Sequence, residues 1–184
     1  MKKIFTIAAM MLLTITAGAQ SLDGTWKFNQ EATESLNALM KPQMPQEIDM
    51  NLTPGLKFNG NDVSFMIWAS FGAEGTSMAI EIVVPGTFTR DDNQVSCNYD
   101  IDHLDFNITD IKSDDPQMNA MLAEPAAKAM VLGMIKQKMK ESIGQGKNGF
   151  ALMVKAFETF SIKELTETQL TILLGESELI LERV

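Results

Sequence analysis

Short segments with alternating apolar and polar residues run through most of the chain, and this period-two pattern constrains the fold more than any other feature. The segment 78–84 has a large apolar residue at every even position, and 95–101 has an apolar or aromatic residue at every odd one. Successive side chains of a strand point to opposite faces, so each segment buries one face. Turn-forming residues at 59–62 and 91–93 separate such segments. The pattern predicts a mainly β protein built as an antiparallel meander.

Two stretches depart from this alternation and have helical spacing instead. Apolar residues three to four apart predict a short helix over 31–40, after the first strand. Asp115-Pro116 and Glu124-Pro125 are typical helix starts, because proline fits the first helical turn. Apolar residues then recur at helical spacing as far as Met139. We therefore expect a helical insertion at about 114–149 that ends in a glycine-rich loop, with strands again from about Phe157.

The N-terminal residues are typical of a removable export signal. Lys2 and Lys3 precede an apolar stretch of about 12 residues, which is shorter than the roughly 20 that a membrane span needs. The small residues 17–19 then form a cleavage site, so we expect residues 1–19 to be a signal peptide cut after Ala19. The remainder, residues 20–184, is predicted to be one domain. The expected product is a soluble periplasmic or extracellular protein that does not span a membrane.

Charge and cysteine content narrow the classes of partner. The formal net charge of −9 repels phosphate backbones, which excludes nucleic acid as an expected partner. Cys97 is the only cysteine, so no disulfide can form within the chain. It is either a buried small hydrophobic residue or a site of pairing between chains. Its place in the alternation, between Val95 and Tyr99, favours burial.

Both ends of the chain resemble a known group of barrels. The stretch Gly24–Phe28, followed by a short helix and a hairpin at 56–63, resembles the opening of the calycin group, the lipocalins and fatty-acid-binding proteins. The segments 164–172 and 181–183 resemble their last strands, and secreted lipocalin-like proteins of Gram-negative bacteria are the nearest group. The resemblance implies an antiparallel up-and-down β-barrel with a short helix after the first strand. It also implies that Trp26 seals the barrel floor against a basic residue of the last strand, here Arg183.

The alternation agrees with this pairing of Trp26 and Arg183. Trp26 and Phe28 share one side of their strand, as Leu181 and Arg183 share one side of theirs, so an inward Arg183 can stack on the indole. The chain departs from the group in two respects. It ends Leu-Glu-Arg-Val, without the Arg-x-Tyr pair that holds a fatty-acid carboxylate, and it contains the long helical insertion. A fatty acid is therefore not indicated as the ligand.

Several motifs that resemble chemical sites have simpler explanations. The glycines at 144–149 match a dinucleotide-binding pattern by letter, but they follow a helix where that chemistry needs a preceding strand. His103 is the only histidine, and its aspartate neighbours are typical of an acidic turn in water. Helically spaced methionines such as Met130 and Met134 suit Cu(I), yet a core-facing stripe needs the same spacing. We expect no catalytic residues, no metal, no cofactor and no enzymatic activity.

Two hypotheses about function stay open. The first is a carrier of a small hydrophobic ligand, bound inside the barrel and covered by the two helical segments. The second is a protein-interaction module, in which a filled barrel displays the Met-rich insertion as a contact surface. For the carrier, the predicted ligand-binding residues are the bulky side chains that point inward: Phe65, Ile67, Ile80, Ile82, Phe88, Tyr99, Phe106 and Phe160.

Overall fold

The computed structural model describes residues 21–34, 49–73, 75–145 and 147–184. The predicted signal peptide and most of the predicted helix 31–40 lie outside the described residues. Within the described part, residues 30–34 are helical, and the amide of Ala32 donates to the Asn29 side chain at the start of this turn. The strands are β1 (Gly24–Phe28), β2 (Asp49–Asn59), β3 (Asp62–Ala73), β4 (Thr76–Asp91), β5 (Gln94–Tyr99), β6 (Asp105–Ser113), β7 (Thr159–Leu165), β8 (Gln169–Leu174) and β9 (Ser177–Arg183).

Eight of these strands form a closed antiparallel barrel. Each of β1 to β4 pairs with the next strand, β7 pairs with β8 and β8 with β9, and β5 pairs with β7. Closure comes from β1, where Trp26 lies opposite Leu56 of β2 on one side and Arg183 of β9 on the other. The expectation of a mainly β fold with a closed antiparallel barrel is confirmed.

The remaining strand, β6, continues the barrel wall at one end. The long strand β4 pairs with β6 over 76–83 and with β5 over 86–91, both on the edge away from β3. The change of partner falls at Pro85, whose carbonyl accepts a hydrogen bond of 2.7 Å from the amide of Asp100. Proline has no amide hydrogen to donate, so it fits the place where β4 lacks a regular partner on that edge. A 3₁₀ turn, Ile101–His103, connects β5 to β6.

Three helices connect β6 to β7: α1 (Pro116–Ala123), α2 (Pro125–Gln145) and α3 (Lys147–Ala156). The Asp115 side chain caps α1 by accepting from the amide of Gln117 at 2.8 Å. The insertion extends beyond the predicted end at about 149, because the chain is helical again from Lys147 to Ala156 where a glycine-rich loop was expected. The cause lies in Phe150, Met153 and Val154, which recur at helical spacing and pack against the core. None of the described helices has both the length and the apolar character that a membrane span requires.

The Pro54-Gly55 pair has the composition of a turn or bulge, but it lies inside the continuous strand β2. The glycine is required by a close approach on the outer face of the barrel. A Cβ atom on Gly55 would lie 2.4 Å from the Trp26 carbonyl oxygen and 2.7 Å from the Trp68 ring. The Lys27 ammonium lies 4.3 Å from the centroid of the Trp68 ring, and the indole Nε1 of Trp68 donates to the Glu81 carboxylate at 3.1 Å. Trp68 thus packs over the backbone of Gly55 in β2, where there is no side chain.

This close approach predicts the effect of adding one methyl group. Gly55→Ala should lower the free energy of unfolding by about 1 to 3 kcal/mol, because neither the carbonyl nor the stacked ring can move freely. The matched control is Gly133→Ala in α2, where no atom lies within 4 Å of the new Cβ. The control should be neutral or stabilising by up to about 1 kcal/mol, since alanine favours helix. Urea unfolding measures both, and equal effects would contradict the packing of Trp68 on Gly55.

Candidate functional site

The interior of the barrel is lined almost entirely by apolar side chains. Among the described residues, the buried polar side chains besides Cys97 and Tyr99 are those of Thr33 and Thr171, and none is charged. A ligand in this interior would meet hydrocarbon and aromatic surface with few polar groups. The largest fully buried side chains are Trp26, Phe58, Phe65, Phe106, Phe160, Leu56, Ile80, Leu170, Ile172, Leu181, Val63 and Val84.

One end of the barrel is closed by Trp26, which is completely buried. The Arg183 guanidinium lies 4.5 Å from the centroid of its ring, a cation–π contact worth about 0.5 to 1 kcal/mol at an exposed site. The indole Nε1 donates to the Leu22 carbonyl at 2.7 Å, and the guanidinium lies 3.4 Å from the Ser21 carbonyl oxygen. The residues before β1 therefore cross the floor and satisfy the polar atoms of both side chains.

The predicted ligand-binding residues fall into two groups along the barrel. Toward the end away from Trp26, Ile67 of β3, Ile82 of β4 and Phe106 of β6 lie opposite one another and form one row across the strands. Ile80, two residues before Ile82 on β4, belongs to the next such row. All four are buried and belong to one core cluster with Phe65 and Tyr99.

The other predicted residues lie where β5 meets β7. Phe160 is opposite Val95, and Phe88 is opposite Cys97 with its ring 5.0 Å from that of Phe58. Phe88 is only partly buried and packs against the core from its margin. Seven of the eight predicted residues thus belong to one core cluster, and Phe88 packs against it.

A series of aromatic rings crosses the barrel between these groups. The Phe157 ring lies 5.5 Å from Phe28 and 5.1 Å from Phe65, and Phe65 lies 6.2 Å from Tyr99, measured between ring centroids. This level of the barrel is filled by side chains. The sequence pattern predicts Phe157 at the start of a strand and does not indicate that its ring crosses the barrel interior. Its position three residues after Val154, in the helical spacing of α3, is the signal that predicts its burial.

The end of α3 packs against the core close to the short pairing of β5 with β7. Strands β5 and β7 pair only from 94 to 96, and the amide of Cys97 then donates to the Glu158 carbonyl at 2.7 Å. Shortly before β7, Val154 and Phe157 are buried and belong to the core cluster. Partly buried Phe150 and Met153 of α3, together with Met139 of α2, also pack against the core. The helical insertion is thus joined to the barrel through apolar and partly flexible side chains.

Tyr99 and Cys97 are neighbours on the inner face of β5. Both are 8% exposed, and among the described residues the Tyr99 hydroxyl is the buried side-chain oxygen that lacks a hydrogen-bond partner. Burial raises the pKa of the Cys97 thiol to about 11, against a smaller lowering by Tyr99, and burial also raises the pKa of Tyr99. The two groups are close enough to shift each other's pKa, yet they form no hydrogen bond of normal geometry. Both are therefore uncharged near neutral pH.

Residues considered for catalysis or metal binding lie elsewhere. His103 Nδ1 is 2.7 Å from the Asp100 carboxylate, and both side chains are largely exposed to water. In the described parts of the chain, no three His, Cys, Asp or Glu side chains are arranged to hold a metal ion. The free thiol of Cys97 is buried, as its place in the alternation predicted.

A comparison with models of known protein families gives no match, and a search of curated proteins gives none either. The closed eight-stranded antiparallel barrel with its helices is consistent with a calycin-like fold. The resemblance is therefore one of architecture, and the site must be judged from its own residues.

Proposed function

We propose that the protein is a non-enzymatic, lipocalin-like carrier of a small hydrophobic ligand. The observation that carries this proposal is the closed barrel whose buried side chains are apolar and whose floor is sealed by Trp26. A barrel of about eight strands has an interior wide enough for side chains or for one small ligand. Such a ligand gains its affinity from removal of apolar surface from water, at about 25 cal/mol per Å².

The proposed binding region is the half of the barrel away from Trp26. The aromatic series that includes Phe65 and Phe157 fills the level nearest the floor, so a ligand must lie above it. Above it the wall is lined by Ile67, Ile82 and Phe106 and then by the small residue Ala69. Partly buried apolar residues lie farther along β2, β3 and β4 and on α2 and α3, and their side chains can move aside when a ligand enters. These residues are Met50, Phe71, Met78, Met139, Phe150 and Met153.

Enlarging Ala69 tests whether this region holds a ligand or is a filled core. Ala69 is 3% exposed on the inner face of β3, opposite Leu52 and Ile80. If the region accommodates a ligand, Ala69→Leu should change the free energy of unfolding by less than about 1 kcal/mol. It should also weaken binding of 1-decanol by more than about 10-fold, because the new side chain takes the same volume. Quenching of tryptophan fluorescence and native mass spectrometry measure the binding.

The matched control is Ser70→Leu, the next residue of β3, whose side chain is exposed on the outer face. It should leave binding unchanged. If Ala69→Leu instead destabilises the protein by about 1 to 3 kcal/mol, as overpacking does, and the original protein binds no 1-decanol, the carrier proposal is wrong.

We also propose that the protein is exported, with residues 1–19 removed. The basic start, the short apolar stretch and the small residues before Gln20 support this. Cleavage after Ala19 retains Ser21 and Leu22, whose carbonyls contact Arg183 and Trp26 at the barrel floor. Intact mass measurement on the protein recovered from its host should give a chain that begins at Gln20. A full-length chain retained with the cells would contradict export.

A second candidate function is that of a protein-interaction module, favoured by exposed apolar residues on the insertion. Met130 and Met134 lie one turn apart on α2 and are 67% and 52% exposed, and Leu152 of α3 is 67% exposed. The segment Pro125–Ala156 contains six lysines and one glutamate, whereas the chain as a whole is acidic. The acidic remainder of a second copy therefore offers a complementary surface for the basic, Met-rich helices.

This candidate predicts self-association that depends on the exposed methionines. Sedimentation velocity should show a dimer that weakens with salt, and Met130→Glu should shift it to monomer by placing a charge in an apolar contact. The control Ala129→Glu adds the same charge at an exposed neighbouring position. A monomer at every protein concentration and salt level, or equal effects of the two variants, would count against this surface.

A further inference from the structure

The Tyr99 hydroxyl is the polar group in the barrel interior that has no partner of its own. It is the buried side-chain oxygen without a hydrogen bond among the described residues, and its ring is held edge-on against Phe65 at 73°. Buried polar groups in proteins are nearly always hydrogen-bonded, and an unsatisfied one needs an explanation. A Tyr hydroxyl both donates and accepts, so either a hydrogen-bond donor or an acceptor can pair with it. The adjacent Cys97 thiol is only a weak partner.

The place of this hydroxyl in the fold connects it with the proposed binding region. Tyr99 lies at the end of β5, past the point where β5 and β7 cease to pair. Its ring contacts Phe65, which is the last ring of the aromatic series before the rows of Ile67 and Ile82. A molecule whose apolar part lies along these rows can therefore place one end at Tyr99.

The charges near Tyr99 select against an anionic end. Glu158 lies beside Cys97, whose amide donates to the Glu158 carbonyl at 2.7 Å, and after burial, which is the main cause, its carboxylate also raises the pKa of both Tyr99 and Cys97. No lysine or arginine is buried in the described part of the barrel, and Arg183 is exposed beneath the floor. An anion placed here would be repelled by Glu158 and would lack a compensating cation, which is strongly unfavourable in an apolar interior.

We propose that the carried ligand has one neutral polar group, such as a hydroxyl, ester or ketone oxygen, which hydrogen-bonds to Tyr99 while its apolar part occupies the barrel. The ligand class is thus an uncharged long-chain alcohol or ester and not a fatty acid. This inference rests on the proposed carrier function and adds to it the chemistry of the ligand's polar end.

The test compares ligands that differ only at this end, with the full chain from Gln20 onward. At neutral pH, 1-decanol should bind more than about 10-fold tighter than decanoate, because the carboxylate is ionised. Tyr99→Phe should weaken 1-decanol binding by about 3- to 10-fold, the value of one neutral hydrogen bond, and should leave the weak decanoate binding unchanged. Titration calorimetry and native mass spectrometry give the affinities.

The unliganded protein provides a second readout that separates this role from a structural one. Because the hydroxyl has no partner, Tyr99→Phe should raise the melting temperature of the ligand-free protein. The matched control is Thr171→Val, since the buried Thr171 hydroxyl accepts a hydrogen bond from Gln169 at 3.2 Å. The control should lower or leave unchanged the melting temperature and should not alter the preference for 1-decanol.

The possible outcomes distinguish this inference from the carrier proposal. If neither 1-decanol nor decanoate binds, the carrier proposal itself fails. If both bind with equal affinity, or if decanoate binds more tightly, the carrier proposal stands and the assignment of a neutral polar end is overturned. A lower melting temperature for Tyr99→Phe would also overturn it, because the hydroxyl would then have a partner inside the protein.

Discussion

The pairing of the first strand with both β2 and β9 is the constraint on which the rest of the structure depends. An open sheet exposes two edges of unpaired backbone groups, and closure removes them. Strand β1 has only five residues, yet it supplies the joint between the two ends of the meander. Closure at this joint also directs Trp26 inward and brings Arg183 over its ring. The sealed floor and the apolar interior both follow from that one pairing.

The opposite part of the barrel is closed in a less regular way. Strand β4 changes its partner from β6 to β5 at Pro85, and β5 in turn pairs with β7 over only three residues. Close to this short pairing, Phe157 follows α3 and places its ring against Phe28 and Phe65 inside the barrel. A wall joined by so few backbone hydrogen bonds opens more easily than one joined by a long ladder. This contrast gives the barrel a rigid end and an adaptable end.

The sequence predicted the barrel wall well because one physical signal, the alternation of apolar residues, determines which face of a strand is buried. It identified the segments that became β4 and β5, and it placed Tyr99 and Cys97 on the inner face. It failed where a residue type has two uses. Gly55 suggested a turn, whereas the structure uses the glycine to admit the Trp68 ring.

The candidate site was less accessible to sequence reasoning. The eight predicted residues are those that point inward, but periodicity does not tell which level of a barrel is filled. Phe157, which fills one level, lies between a helix and a strand, and its helical spacing after Val154 predicts burial without telling which level it fills. The lack of a partner for the Tyr99 hydroxyl depends on residues from distant strands, so no local pattern reveals it. Sequence patterns thus specify directions of side chains, and the three-dimensional structure adds their neighbours.

The pairing of β1 with β9 limits how fast the barrel can form. These are the first and the last of the described strands, and Trp26 must meet Arg183 before the ring is complete. Contacts between residues so far apart in sequence form slowly. Until closure, the apolar inward faces of the strands stay exposed to water, which leaves the unclosed chain prone to association.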